Sequence, residues 1–379
     1  MCGGINKEDG RRFVTLDVFR GMTLFLMIVV NTQGSGAVPF APFMHSEWNG
    51  CTLTDLVFPS FLFAVGNALA FVLKKWDDQR DRFVLYKIGK RTLLIFLTGY
   101  LLTWYCTMHW TSGHLVFSAF KATRIMAVLQ RIALCYGITA VMARYLQPRW
   151  MLGSAVVFLL GYWMILFVFG TSGLPYSETG NAVRQADLLI LGERHMYQEH
   201  GILFDPKGLL STIPACVNVM AGYLAGVFLI KNGKNLASVR ILLMTGALLV
   251  GLGLLWSIYF PLNKKLWTSS YVLYASGMDM LVIGILLYLI EIRRWRRAVH
   301  FFVVLGKNPL FIYVLSNLLL ILLIWNVSPD KPFADWINSV LFQKIAPGAL
   351  GSLLFAITFA MFCWLVAWVM DKWRIYVRI

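Results

Sequence analysis

The chain has 379 residues, of which 59% are hydrophobic and only 14% charged, and a mean hydropathy of +0.68. Soluble domains carry about 25% charged residues, so this composition excludes one and describes an integral membrane protein with several spans. The formal net charge of +16 invites a nucleic-acid reading, but the placement of those charges argues against it.

In chain order, ten apolar stretches reach the roughly 20 residues needed to cross a bilayer. They run at about 14–32, 53–73, 89–106, 123–143, 151–170, 208–230, 239–260, 271–291, 305–325 and 349–370. The predicted fold is an all-α integral membrane protein of about ten transmembrane helices in a single domain over 1–379. The opening MCGGINKEDGRR is short and polar, with no apolar core before Cys2, and predicts neither a cleaved signal nor a lipoprotein anchor. The longest connection, about 171–207, is polar and too short for a separate soluble domain. The two halves show no self-similarity of the kind common in carriers.

With the N-terminus inside, 22 Lys and Arg fall in the inner connections and 9 in the outer ones. This is the positive-inside bias, so both termini are expected in the cytoplasm. Topology and anionic lipid then account for the basic surplus, including RRWRR at 293–297, and nucleic acid is not an expected partner. Trp104, Trp110, Trp256, Trp267 and Trp325 fall near the outer boundary, where an aromatic belt is expected.

The stretch from Asn31 to Gly66 holds the candidate reaction centre. Between two apolar segments, a short outer loop carries His45 with Ser46, Glu47, Trp48 and Asn49, and Asp55 follows early in the next segment. An imidazole beside a membrane span, with amide and carboxylate groups close by, suits proton transfer. Asp55 either orients His45 or caps its own helix, since TLTD precedes an apolar run.

Charge at membrane depth is costly and asks for a partner. Asp17 and Arg20 share a helix face and form either a local ion pair or, through Arg20, a site for an anionic ligand. Arg124 and Arg131 lie on one face of the fourth span with Gln130 beside the second, and Arg131 is expected to sit deep. Its expected partner is a ligand phosphate or a buried carboxylate such as Asp279. Lys307 and Asn308, ahead of Pro309, read as a helix start that either offers a phosphate site or simply begins a span. His195 and His200 are five apart in a polar loop and read as solvated, and no metal is expected. The six cysteines occur singly; free thiols are expected, with a Cys51–Cys106 pair as the other possibility. No GxSxG, HExxH or P-loop occurs.

LDVFRGMTLFLMIVVN at 16–31 and HSEWNGCTLTDLVFPSFLFAVG at 45–66 resemble the heparan-α-glucosaminide N-acetyltransferase family of membrane acyltransferases. RIMAVLQRIALCY at 124–136, FDPKGLLSTIPACVNVMAGYLAG at 204–226, PLNKKLWTSSYVL at 261–273 and LGKNPLFIYVLS at 305–316 fit the same pattern in the same order. Animal members carry a lumenal region and an extra span ahead of the shared ten. This chain starts at the core and looks like a bacterial version in the inner (cytoplasmic) membrane.

The resemblance implies transfer of an acetyl group from cytoplasmic acetyl-CoA to the amine of a glucosamine-type sugar on the outer side. It places the catalytic histidine on His45 and an active-site asparagine on Asn31, and suggests a homodimer. Position adds the remaining roles: Asp55 beside His45; Arg20, Arg124, Gln130, Arg131, Lys307 and Asn308 toward the coenzyme; and Trp48, Asn49, Asn263, Lys264 and Trp267 toward the acceptor. His45 is then either a general base for the amine or a transient acetyl carrier. A sugar or metabolite permease with His45 as a proton relay is the alternative function.

Overall fold

The computed structural model describes residues 13–33, 39–107, 109–111, 114–116, 120, 123–199, 201–324, 326–328 and 331–377. The expectations about the N-terminal leader, Cys2, His200 and Trp325 lie outside the described residues. In chain order the helices are α1 (Val14–Asn31), α2 (Leu53–Lys75), α3 (Asp81–Tyr105), α4 (Val128–Tyr145), α5 (Pro148–Phe169), α6 (Ala182–Leu191) and α7 (Thr212–Asn232). There follow α8 (Leu236–Trp256), α9 (Ser269–Leu287), α10 (Val299–Lys307), α11 (Pro309–Ile324), the short α12 (Phe333–Ile337) and α13 (Gln343–Ile345), and α14 (Ala349–Lys372). Strands among the described residues form only three small hairpins: β1 (His109–Thr111) with β2 (His114–Val116), β3 (Gln198–Glu199) with β4 (Ile202–Leu203), and β5 (Asn326–Ser328) with β6 (Lys331–Pro332).

Among the described residues, seven helices qualify as spans by length and apolar composition: α1, α2, α5, α7, α8, α14 and α9 with its continuation to Ile292. An eighth is the pair α10–α11, bent by 84° at Asn308. The expected third and fourth spans are helical as α3 and α4, yet fall short of that standard. Asp81, Arg82, Lys87, Lys90 and Arg91 dilute α3, and Arg131 and Arg144 dilute α4. The expected ninth span is the bent pair, because Pro309 has no N–H for a helix running through it and instead starts a new one.

Helices α2 and α7 form the centre, each 67% buried, whereas α5 and α8 are 22% and 28% buried and present apolar faces outward. The central pair packs backbone to backbone. A Cβ on Gly222 would lie 2.0 Å from the Phe63 carbonyl oxygen, and one on Gly66 would lie 2.0 Å from that of Val219. Small residues allow this approach where hydrophobic driving force between helices is weak. Polar side chains stitch α9 to the same centre: Asn218 Nδ2 donates to Ser276 Oγ at 3.0 Å, and Ser60 Oγ donates to Asp279 Oδ1 at 2.5 Å.

Gly222→Val is expected to force α2 and α7 apart and to cost about 3 kcal/mol, the upper range of overpacking. Gly251, where a Cβ meets nothing within 4 Å, is the matched site. Thermal unfolding in detergent should show a melting temperature several degrees lower for Gly222→Val and a value near that of the parent for Gly251→Val.

Candidate active site

The His45 loop is built between the end of α1 and the start of α2. Asn31 is the last residue of α1, and its side chain is exposed there. Two residues on, Gln33 Nε2 donates to the Phe43 carbonyl at 3.3 Å, which folds the returning chain against the helix end. Thr54 Oγ1 donates to Pro42 O at 3.3 Å, and Thr52 Oγ1 lies 2.7 Å from Met44 O. Gly50 takes φ +114°, a turn conformation that costs a side-chain-bearing residue strain. Its N–H donates to Leu262 O at 2.8 Å, joining this loop to the 261–268 loop.

Asp55, in the first turn of α2, organises the site. Its side chain is fully buried, and Oδ2 accepts the backbone N–H groups of Ser46 at 3.1 Å and Thr52 at 3.0 Å. Oδ1 lies 2.8 Å from His45 Nδ1 and 3.3 Å from Lys264 Nζ. Capping and histidine orientation, open alternatives in the sequence, are thus both met by one carboxylate. Tyr271 Oη donates to the Asp55 backbone carbonyl at 2.6 Å from below. The His45 side chain is 53% exposed, so its other ring nitrogen is accessible to an incoming group. Cys51, nearby in the same loop, has its thiol pushed up to about 12 by burial and by Asp55, and is not a thiolate nucleophile.

The residues expected to face the acceptor divide into two sets. Asn49 is exposed and accepts from Asn263 Nδ2 at 3.3 Å. Lys264 Nζ lies 2.9 Å from His45 Nδ1, and burial holds its ammonium below the ordinary lysine range while Asp55 opposes that shift. Trp48 is half-buried: Nε1 donates to Tyr176 O at 2.8 Å and its ring meets Phe204 edge-on, so it pins the 171–207 connection to the His45 loop. Asn263 and Trp267 are buried. Asn263 Oδ1 accepts Leu266 N–H at 2.8 Å and shapes the turn. Trp267, at φ +58°, donates from Nε1 to Asn218 Oδ1 at 3.0 Å and packs against Phe58 and Tyr271. It forms the floor of the site rather than part of a lipid-facing belt.

Beneath that floor, α4 starts at Val128, five residues later than expected, so Arg131 lies in its first turn at the His45 end. Arg131 is fully buried, donates to Gly208 O at 2.9 Å and to Ser211 Oγ, and sits over the Trp267 ring at 4.9 Å. The carboxylates acting on it are those of Asp205 and Asp187, so the expected counter-charge at Asp279 is corrected: that group bonds Ser60. Arg124 forks onto Asp205 at 2.8 and 2.6 Å, a pairing that occupies it within the loop. Gln130 is fully buried with neither amide atom hydrogen-bonded among the described residues. His195 Nδ1 pairs with Thr123 O at 2.8 Å and is half-buried rather than solvated.

At the opposite end of the bundle lies a cavity of about 660 Å³. Six basic side chains line it: Arg20, Lys75, Lys87, Lys90, Arg91 and Lys307. Arg20 also donates to Gly306 O at 3.1 Å and approaches Asp17 at 3.6 Å, while Lys307 pairs with Asp371 at 2.6 Å. Asn308 holds the C-terminal segment instead of pointing inward, donating to Ile375 O at 2.9 Å and accepting from Val377 N at 3.0 Å. Along α2 the lining runs from Lys75 to Phe61, about 21 Å at 1.5 Å per residue. Asp55 stands about 9 Å beyond Phe61 by the same rise. Lys75 and Lys87 were not distinguishable from ordinary interfacial lysines in the sequence. Cys51, Cys106, Cys135, Cys216 and Cys363 are free thiols, and no group of metal-ligating side chains occurs among the described residues.

A helical membrane protein with a carboxylate-held imidazole at one end and a basic cavity at the other is the class these features define. The family model described as heparan-alpha-glucosaminide N-acetyltransferase, catalytic, matches residues 12–253, and the chain belongs to that family. The human heparan-alpha-glucosaminide N-acetyltransferase is 27% identical over 360 residues, covering 80% of this chain and 52% of its own length. The mouse protein of the same name is 27% identical over 365 residues, covering 81% of this chain and 54% of its own. The chain thus spans about half the length of the curated relatives it matches.

Asp187, in α6, supports the loop beneath the site by accepting the N–H groups of Leu209 at 2.9 Å and Leu210 at 3.2 Å. Burial pushes its carboxyl up to about 6. The folded protein therefore holds this proton more tightly than the unfolded chain, and stability should fall as pH rises from about 4 to about 6. Asp187→Asn is expected to remove that decline, worth at most about 3 kcal/mol, in unfolding curves recorded across this range.

Proposed function

We propose that the chain is a membrane-embedded N-acetyltransferase that takes its acetyl group from acetyl-CoA and passes it to the amine of a glucosamine-type sugar. The observation that carries this reading is the basic cavity of about 660 Å³ that climbs α2 to Phe61, beneath the His45 site. A phosphate-bearing coenzyme needs cations at the mouth and an apolar channel above them. Arg20, Lys75, Lys87, Lys90, Arg91 and Lys307 supply the first, and Phe61, Ala64, Val65, Leu69, Leu94 and Leu310 supply the second. Family membership and the names of the human and mouse relatives support the reaction class and the amino-sugar acceptor.

The basic end is then cytoplasmic, with both termini there, and His45 faces outward across what we take to be a bacterial cytoplasmic membrane. The charge bias of the connections supports this orientation. The pantetheine arm extends up the cavity and past Gln130, whose unpaired buried amide suits an amide partner. The thioester arrives between Phe61 and Asp55. Asn49 and Lys264 flank the acceptor, with Trp48 holding the wall behind them.

In the reaction, the neutral amine attacks the thioester carbonyl and the C–N bond forms. His45 Nε2 removes the amine proton while Asp55 holds Nδ1. Asn31 donates an amide N–H to the oxygen that gains negative charge. The C–S bond breaks, and the proton passes from His45 to the departing thiolate, giving the amide and free CoA. In the alternative order, His45 attacks first and the amine discharges an acetyl-imidazole.

Purified protein in detergent, given acetyl-CoA and glucosamine, should release free thiol, and His45→Ala should lower the rate about 10²- to 10⁴-fold. Sugar uptake into liposomes without acetyl-CoA would instead identify a permease, and label on His45 from acetyl-CoA alone would identify the acetyl-carrier route. Lys90→Glu combined with Arg91→Glu should raise KM for acetyl-CoA at least about tenfold with little change in kcat, measured in the same assay.

A further inference from the structure

Two groups of opposite charge converge on a single nitrogen. His45 Nδ1 lies 2.8 Å from Asp55 Oδ1 and 2.9 Å from Lys264 Nζ, and the two partners are 3.3 Å from each other. Nδ1 has room for one proton or one lone pair, not both. Bearing a proton, it donates to Asp55 and leaves Nε2 as the basic nitrogen. Bearing a lone pair, it accepts from the Lys264 ammonium and Nε2 carries the proton. A doubly protonated ring satisfies Asp55 but turns an N–H toward an ammonium at hydrogen-bonding distance.

Asp55 has support for its charge besides His45, since it also receives two backbone N–H groups and Lys264. Lys264 comes from the 261–268 loop, which Gly50 fastens to the His45 loop, so its approach is fixed by backbone on both sides. We propose that Lys264 is a positioning residue that competes with Asp55 for His45 Nδ1 and thereby keeps the imidazole free of a second proton in the resting site.

The proposal rests on the reading of His45 as the reacting group and gives its nearest basic neighbour a role apart from acceptor contact. Burial disfavours the Lys264 ammonium and Asp55 opposes that shift. Other charged or titratable groups around the ring are Glu47 and Cys51 on its own loop, Lys265 beside Lys264, and Lys207 on the 205–211 loop, whose ammonium is disfavoured by Lys264 among other causes. Cys51 stays neutral, as its thiol is pushed up to about 12. During transfer, the imidazolium formed at Nε2 faces the Lys264 ammonium. That repulsion favours handing the proton on to the thiolate sulfur rather than retaining it.

The test is the pH dependence of His45 carbethoxylation by diethyl pyrocarbonate, read by peptide mass spectrometry, since this reagent reacts only with the unprotonated ring. Lys264→Met should move the midpoint to higher pH by about one unit, the scale of a neighbouring charge, while Lys264→Arg keeps the parental midpoint. Asp55→Asn, which leaves Lys264 alone beside the ring, should move it the opposite way and supplies a second reading if the methionine variant does not fold. An unchanged or lowered midpoint in Lys264→Met, or a raised one in Asp55→Asn, overturns the proposal. Acetyl transfer by the parent protein is measured in parallel. Its absence would sink the transferase reading, while the carbethoxylation midpoints would still judge Lys264.

Discussion

A carboxylate removed from water at the end of a membrane helix is tolerated only when hydrogen bonds and opposite charge replace its hydration. Asp55 meets that condition with two backbone N–H groups, an ammonium and an imidazole. These partners come from the His45 loop, the start of α2 and the 261–268 loop, so satisfying the charge also closes the loop after α1, starts α2 and brings in the third segment. Tyr271 secures the same turn from α9 through the Asp55 carbonyl. The site exists because this one buried charge has to be answered from several directions at once.

The two ends of the bundle solve opposite problems. At the His45 end, Arg124 pairs with Asp205 and Lys264 with Asp55, while Arg131 donates to the carbonyl of Gly208 and the hydroxyl of Ser211. At the other end, six basic side chains gather around one cavity, where Lys307 pairs with Asp371 and Arg20 approaches Asp17. Like charges held together around a hollow raise the local potential and attract anions. The asymmetry agrees with a ligand that is polyanionic at one end and reactive at the other.

Much of the architecture was readable from apolar run length alone, because a bilayer fixes how long a helix must be. Asn308-Pro309 marked a helix start in sequence, and α11 begins there. What escaped was whatever depended on distant partners. Arg124 finds Asp205 81 positions away, and no local pattern announces such a pair. Trp267 is expected near the outer boundary and, with Asn263, toward the acceptor, yet Trp267 turns inward in a left-handed conformation and Asn263 is spent on the turn. Arg131 looked deep because the apolar run begins at 123, whereas the helix starts only at Val128 and places it in the first turn. The histidine and the carboxylate ten residues later were legible as neighbours, but the lysine completing the trio was not.

The clasp formed by Asn308 has a practical side. It holds the backbone at Ile375 and Val377, and Val377 is itself part of the cavity wall. The backbone at 375–377 therefore lies at the rim of the basic opening, beside the Lys307–Asp371 pair. A bulky label attached within 375–377 would crowd the entrance, whereas the exposed turn at Gly173, far along the chain from this rim, offers a place for an insertion with open space around it.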